Sequence, residues 1–252
     1  MHNQKCEKTK KWSIVFFISL IIFLIAISVL FYHLFFKNKS NDESGVISFP
    51  EVSSVEPVKN PINFAALKSE NDDIYAWITI PNTQVDYPIV QSASDDSFYL
   101  DHNSNQKYDV NGSIYTERKN NKDFSDPNTL IYGHNMKNGS MFASLHKFED
   151  PEFFEQNKYI YIYTENSMLT YEIYAAYRYD NRHILNSFDF SDKEVFKNYI
   201  ETTKNPTSLT RNIRNETSIT ENDKIITLST CLGINTQRYL VQGVLINNVP
   251  TK

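Results

Sequence analysis

Hydrophobic and polar positions divide the chain into three stretches. From Trp12 to Phe36 there is no Asp, Glu, Lys or Arg, and Ile, Leu, Phe and Val dominate. At about 1.5 Å of helical rise per residue, such a run crosses the roughly 30 Å hydrocarbon core of a bilayer with some tilt. A cleaved signal peptide has a shorter apolar run and ends on small residues. This run ends on Phe31, Tyr32, Leu34, Phe35 and Phe36, so the pattern predicts an uncleaved transmembrane helix. From Lys37 to Pro61 the apolar period is lost, and Pro50, Pro57 and Pro61 punctuate a stretch rich in Ser, Asn, Glu and Val, as in a stalk.

Beyond residue 61 the pattern reads mainly as strands. Trp77–Ile80, Val85–Val90, Gly112–Thr116 and Thr129–Tyr132 are short and rich in β-branched and aromatic residues. Tyr159–Tyr163 and Leu169–Tyr179 flank a polar turn at Glu165, Asn166 and Ser167, and Lys224–Ser229 and Tyr239–Ile246 close the chain. Strands of this length and spacing predict a barrel or sandwich. A helix is expected around 62–73 from Phe64, Leu67 and Ile74, and a short turn from Met141 to Lys147, capped by Ser140. The clearest helix runs from Asp192 to Lys204. Ser191 and Glu194 read there as a capping box, and Val195, Phe196, Tyr199 and Ile200 share one face.

Charge orients these parts. Lys5, Lys8, Lys10 and Lys11 precede the apolar run and only Lys37 and Lys39 follow it closely, so residues 1–11 are expected in the cytoplasm and the rest outside. Residues 1 to 39 hold six Lys and one Glu, which leaves 19 basic and 29 acidic side chains, a net −10, on the remainder. That balance is poorly suited to nucleic acid or to lying flat on an anionic membrane.

Two cysteines exist, Cys6 on the expected cytoplasmic side and Cys231 far into the exterior part, so they cannot pair within one chain. Cys231 ends the apolar strand Thr227, Leu228, Ser229, Thr230, Cys231, with Gly233 close behind, and Arg238 opens the next strand. If those strands are neighbours, a guanidinium lies near the thiol, where it lowers the thiol pKa or holds an oxyanion. A buried, inert cysteine with an unrelated Arg is the competing reading. Among the exterior histidines, His134 follows a strand end and Gly133, whose freedom allows an unusual backbone to aim the ring. His102 and His146 read as solvated surface residues, and His183 as a weaker candidate base. The Asn-x-Ser/Thr matches at Asn111, Asn138 and Asn215 read as turns, and no metal site or organic cofactor is expected.

Thr227 to Cys231 with Arg238 downstream, and Tyr132, Gly133 and His134 upstream, resemble the signature set of the sortase family, over Trp77 to Ile246. Ser229 within the Cys motif, the opening from Trp77 to Gln91 and the helix at 192–204 resemble class B in particular. The resemblance implies a closed eight-stranded β-barrel with a few helices over residues 62–252. It also implies a cysteine transpeptidase without cofactor, acting outside the cell membrane. Carried onto this chain, Cys231 is the nucleophile, His134 the acid and base, and Arg238 the oxyanion stabiliser. Ser229, Thr230 and Ile184 fall at substrate-binding positions, and class B members can carry a Tyr where His183 stands. The implied partners are secreted proteins with a C-terminal sorting motif, cleaved after Thr, and a peptidoglycan-precursor amine as acceptor. A hydrolytic peptidase on the same residues, a catalytically silent tethered binding domain and a pilus-polymerising enzyme are the alternatives. The last lacks support, since residues 37–61 show no lid motif.

Overall fold

Among the described residues nine strands occur in chain order, most of them bounded by polar turns. They are β1 (Ile74–Thr79), β2 (Asp86–Val90), β3 (Ile114–Tyr115), β4 (Asn128–Tyr132) and β5 (Tyr159–Thr164), then β6 (Ser167–Asp180), β7 (Arg211–Ile213), β8 (Ile225–Cys231) and β9 (Gln237–Pro250). The helices are α1 (Phe64–Glu70), α2 (Pro151–Gln156), α3 (Ile184–Ser187) and α4 (Lys193–Lys204), with a 3-10 segment at Ala143–Glu149. This is a computed structural model that describes residues 57–232 and 237–252. The expected membrane helix at 12–36, Cys6 and most of the stalk lie outside the described residues. No helix among the described residues is long and apolar enough to cross a membrane.

Pairing follows the order β5-β1-β2-β3-β4-β8-β9-β6, and β6 pairs back to β5, which closes an eight-stranded barrel as expected. Closure leaves no long edge open to foreign strands. The ninth strand, β7, extends the sheet at Ala175–Tyr177 of β6, past the point where β5 has left it. Most neighbours are antiparallel, but β2–β3 and β4–β8 run parallel. The second of these decides where the chemistry sits. Because β4 and β8 point the same way, their C-terminal ends, which lead to His134 and carry Cys231, emerge at one rim.

Strand alternation sorts the side chains. Ile78, Ile89, Ile131, Ile162, Ile226, Leu228, Tyr239 and Val241 fill the interior. Leu130, Tyr174, Tyr177, Ile225, Leu240 and Val244 face outward and are covered by Phe196, Tyr199 and Ile200 of α4, with Ile184 and Phe190 from the preceding loop. Beneath α4, the fully buried Gln242 donates from Nε2 to Tyr199 Oη (3.0 Å) and Thr227 Oγ1 (2.9 Å), and accepts from Tyr177 Oη (3.1 Å). Satisfying these groups together fixes the angle at which the helix lies, since any one left unpaired would carry a full desolvation cost.

Two helix ends differ from the sequence reading. Asp192, not Ser191, caps α4, its carboxylate accepting from Glu194 N (2.8 Å) and Val195 N (3.3 Å). The Ser191 hydroxyl instead donates to Asp189 Oδ1 at 2.6 Å. The turn expected from Met141 to Lys147 is the 3-10 segment at 143–149, and Phe142, rather than Ser140, stands at its cap position without a side-chain bond. Asp192→Ala is therefore expected to cost about 1 kcal/mol in a urea unfolding series. Ser191→Ala should stay within about 0.5 kcal/mol of wild type in the same series, and the reverse order would restore the capping box.

Candidate active site

Cys231 ends β8 and Arg238 lies directly opposite it on β9. Facing residues of an antiparallel pair put their Cβ atoms about 5 Å apart on the same side of the sheet. The Arg238 guanidinium uses that proximity, donating from Nη1 to Cys231 Sγ at 2.8 Å. Cys231 is a free, half-buried thiol, reachable from solvent. Across β9, Tyr179 of β6 faces Arg238, so thiol, guanidinium and phenol form one row over three strands. The next row down is Tyr132, Ser229, Leu240 and Tyr177. This second row is packed away, with Tyr177 and Leu240 beneath α4 and Ser229 only 5% exposed, so it is a buried floor that backs the thiol.

His134 follows β4 by two residues. Its Nε2 lies 2.7 Å from the Leu100 carbonyl. A carbonyl only accepts, so Nε2 carries the hydrogen, and Nδ1 of the neutral ring is left to exchange a proton. Gly133 N–H donates to Ser229 O at 3.2 Å and continues the parallel ladder past β4. The glycine serves close packing, not the unusual backbone that the sequence suggested. A Cβ there would meet Ile114 Cδ1 at 2.5 Å and the Phe142 ring at 2.7 Å.

The flank of this floor is aromatic and then charged. Tyr115 stacks on Tyr132 at 5.3 Å between ring centroids. Burial, with repulsion from Glu117, pushes the Tyr115 phenol up to about 12, although Arg238 pulls the other way. Burial raises Tyr132 still further. Both phenols therefore stay protonated at neutral pH and do not serve as bases. Glu117 accepts from His183 Nε2 at 2.8 Å, and His183 Nδ1 accepts from Asn186 N at 3.2 Å, capping α3. With both ring nitrogens engaged, His183 is a clasp between the β3–β4 connection and the loop before α4, not a base. Lys119 strengthens the clasp by donating to Leu185 O (3.3 Å) and to the Asn186 side chain.

The substrate-binding candidates separate. Ser229 shares the face of Cys231. Thr230 points to the opposite face with Tyr239, is 2% exposed, and is not brought to the thiol's side. Ile184 is 3% exposed and packs into the cluster beneath the α4 loop, so it supports that wall from behind. His102 and His146, read as solvated, are both half-buried and bonded. His102 stacks on Phe98 at 4.1 Å and bonds Asp101 and the Phe98 carbonyl. His146 stacks on Tyr239 at 4.9 Å and donates from Nδ1 to Glu149 Oε1 at 2.8 Å. Burial pulls the Glu149 carboxyl up, but hydrogen bonds from His146 and Arg178 outweigh it and hold the group below its ordinary 4.5.

Gly133→Ala is expected to lower stability by about 1–3 kcal/mol through overpacking. Because Phe142 and Ile114 must shift, the His134 segment shifts with them, and iodoacetamide labelling of Cys231 should change as well. An alanine variant with wild-type melting and labelling would contradict the close-approach account.

The family model for the sortase domain matches residues 78–246. Over 185 residues the chain is 36% identical to a sortase B of Listeria monocytogenes, which covers 71% of this chain and 72% of that protein. The X-ray structure of Clostridium perfringens sortase B superposes with a TM-score of 0.66 at 34% identity, covering 73% of this chain and 100% of that one. The crystal structure of sortase B from Bacillus anthracis in complex with AAEK1 gives 0.65 at 34% identity, covering 73% and 84%.

Proposed function

The chain belongs to the sortase family as a class B member, an enzyme of the cysteine transpeptidase type, and we propose that Cys231, Arg238 and His134 carry its acyl transfer. The observation that carries this reading is the 2.8 Å bond from Arg238 Nη1 to Cys231 Sγ, at a rim that also bears His134. The family implies protein substrates with sorting motifs, and the finer steps below are those this geometry supports best.

The Cys231 thiol gives its proton to His134 Nδ1, and the resulting thiolate attacks the carbonyl carbon of Thr in the sorting motif, forming a C–S bond. The carbonyl oxygen becomes an oxyanion, and the Arg238 guanidinium, with five N–H donors on a planar fork, is placed to stabilise it. Collapse breaks the C–N bond, and His134 gives a proton to the leaving amine. An incoming amine, from a peptidoglycan precursor, then attacks the thioester. His134 takes up its proton, and the new amide leaves as the thiolate returns. Splitting one amide exchange into two steps lowers each barrier, which is the physical case for a thiol nucleophile. The hydrogen bond to the Leu100 carbonyl holds the His134 ring so that Nδ1 serves both transfers. The half-buried Tyr132–Tyr115 stack provides a flank along which an extended peptide lies, with the buried Ser229 behind it. The apolar run at 12–36 supports a membrane-anchored enzyme whose barrel faces the cell exterior.

Incubating the chain with peptides carrying Pro-x-Thr-Gly or Asn-Pro-x-Thr-x motifs, with and without an amine acceptor, tests this reading by mass spectrometry. A thioester ending at Thr is expected on wild type and absent from Cys231→Ala, with an amide product when the acceptor is present. Hydrolysed peptide alone, at the same rate with or without acceptor, would make the enzyme a peptidase. No adduct with any such peptide would sink the assigned chemistry.

A further inference from the structure

The last backbone rung between β4 and β8 joins Gly133 N to Ser229 O. Both His134 and Cys231 lie beyond it, where no strand pairing would hold them to one another. The next rung of a parallel ladder would fall two residues on along each chain, at 135 and 231. A side chain makes that rung. Asn135 Nδ2 donates to the Cys231 carbonyl at 2.9 Å.

The Asn135 amide is itself oriented. Its Nδ2 lies 3.1 Å from His146 Nε2, and His146 Nδ1 lies 2.8 Å from Glu149 Oε1. A carboxylate only accepts, so Nδ1 carries a proton, and His146 Nε2 lies 3.2 Å from the Cys231 carbonyl as well as beside the Asn135 amide. Asn135 Nδ2 and His146 Nε2 thus converge on the nucleophile's carbonyl, at 2.9 and 3.2 Å. Arg178 fixes the far end, donating to Glu149 Oε2 at 3.1 Å, and Tyr239 stacks against the imidazole. On the other side, Asn135 bridges to Met141, which holds a left-handed φ of 56° and donates from its backbone N–H to Tyr87 Oη at 3.0 Å. A non-glycine residue kept in that region shows that its surroundings over-determine the loop.

We infer that Asn135 is a positioning residue for acyl transfer, oriented by His146 and Glu149, which fixes the His134 ring relative to the Cys231 thiol through the nucleophile's own carbonyl. The inference rests on the chemistry proposed above. Reacting groups lose about 100-fold in rate for a displacement of about 1 Å, so one rung at this place acts on turnover more than on binding.

The test measures kcat and KM for thioester formation in the whole chain and in Asn135→Ala, Asn135→Asp, His146→Ala and the Asn135→Ala/His146→Ala pair. Asn135→Asp keeps the shape but sets a carboxylate against a carbonyl, so it serves if the alanine variant melts early. Asn135→Asp and Asn135→Ala are expected to lower kcat by about 10- to 100-fold with KM within about twofold. His146→Ala should fall less far, and the double variant should lose less than the product of the two single losses, because Asn135 and His146 contact each other and share one carbonyl. Wild-type kcat in a folded Asn135→Asp, or a loss carried wholly by KM, would overturn the assignment. Iodoacetamide labelling of Cys231 in the same proteins keeps the two readings apart. Should wild type form no peptide adduct, the proposed function fails, and labelling alone decides the rung. A labelling rate changed by about threefold or more in Asn135→Asp upholds it, and an unchanged rate overturns it.

Discussion

The antiparallel register of β8 with β9 is the constraint on which the rest depends. It sets Cys231 opposite Arg238, and the short thiol–guanidinium bond follows from strand geometry, not from a flexible side chain finding its partner. A slip of one residue would turn Cys231 toward the barrel interior and bring Thr230 to the surface. That register is held from below. β9 pairs with β6 from Ser167–Pro250 to Asp180–Gln237, and the Gln242 network locks the same strands to α4. The barrel is thus the device that keeps a thiol and a cation in contact at a solvent-facing rim.

The second proposed catalytic element arrives by a different route. His134 depends on β4 lying parallel beside β8, so two chain segments about a hundred residues apart end at one place. Parallel pairing gives proximity but stops before the chemistry begins. The segment after Tyr132 is then held by close packing at Gly133, by the Leu100 carbonyl and by the Asn135 amide. The rim row of Cys231, Arg238 and Tyr179 beside clasped loops suits an extended peptide lying across the proposed nucleophile.

Much of this was legible because the deciding signals are local. The strands of the barrel alternate and end on polar turns, and Cys231 and Arg238 are close in sequence, on two strands whose pairing would bring them together. What could not be read is non-local. β7 has three residues and exists because β6 outruns β5. The buried Arg214 anchors it, donating to the carbonyls of Ile173 and Phe154. Ser191 and Asp192 are equally good caps in isolation, and a competing bond to Asp189 chose between them. His146 carries no sequence mark of burial, since Tyr239 and Glu149 engage it from opposite sides. One signal was present and overlooked. Asp150 followed by Pro151 marks the start of α2, an N-cap with proline at the first helical position.

On our proposal, strand register makes Arg238 the electrostatic partner of the Cys231 reaction, and the single-turnover acylation rate of Arg238→Lys tests this most directly. Lysine keeps the charge but loses the planar fork that spans both sulfur and a developing oxyanion. Acylation by a sorting peptide should slow by about 10²–10³-fold while the thioester still forms on Cys231. A rate within about twofold of wild type would mean that the guanidinium is a neighbour of the chemistry and not part of it.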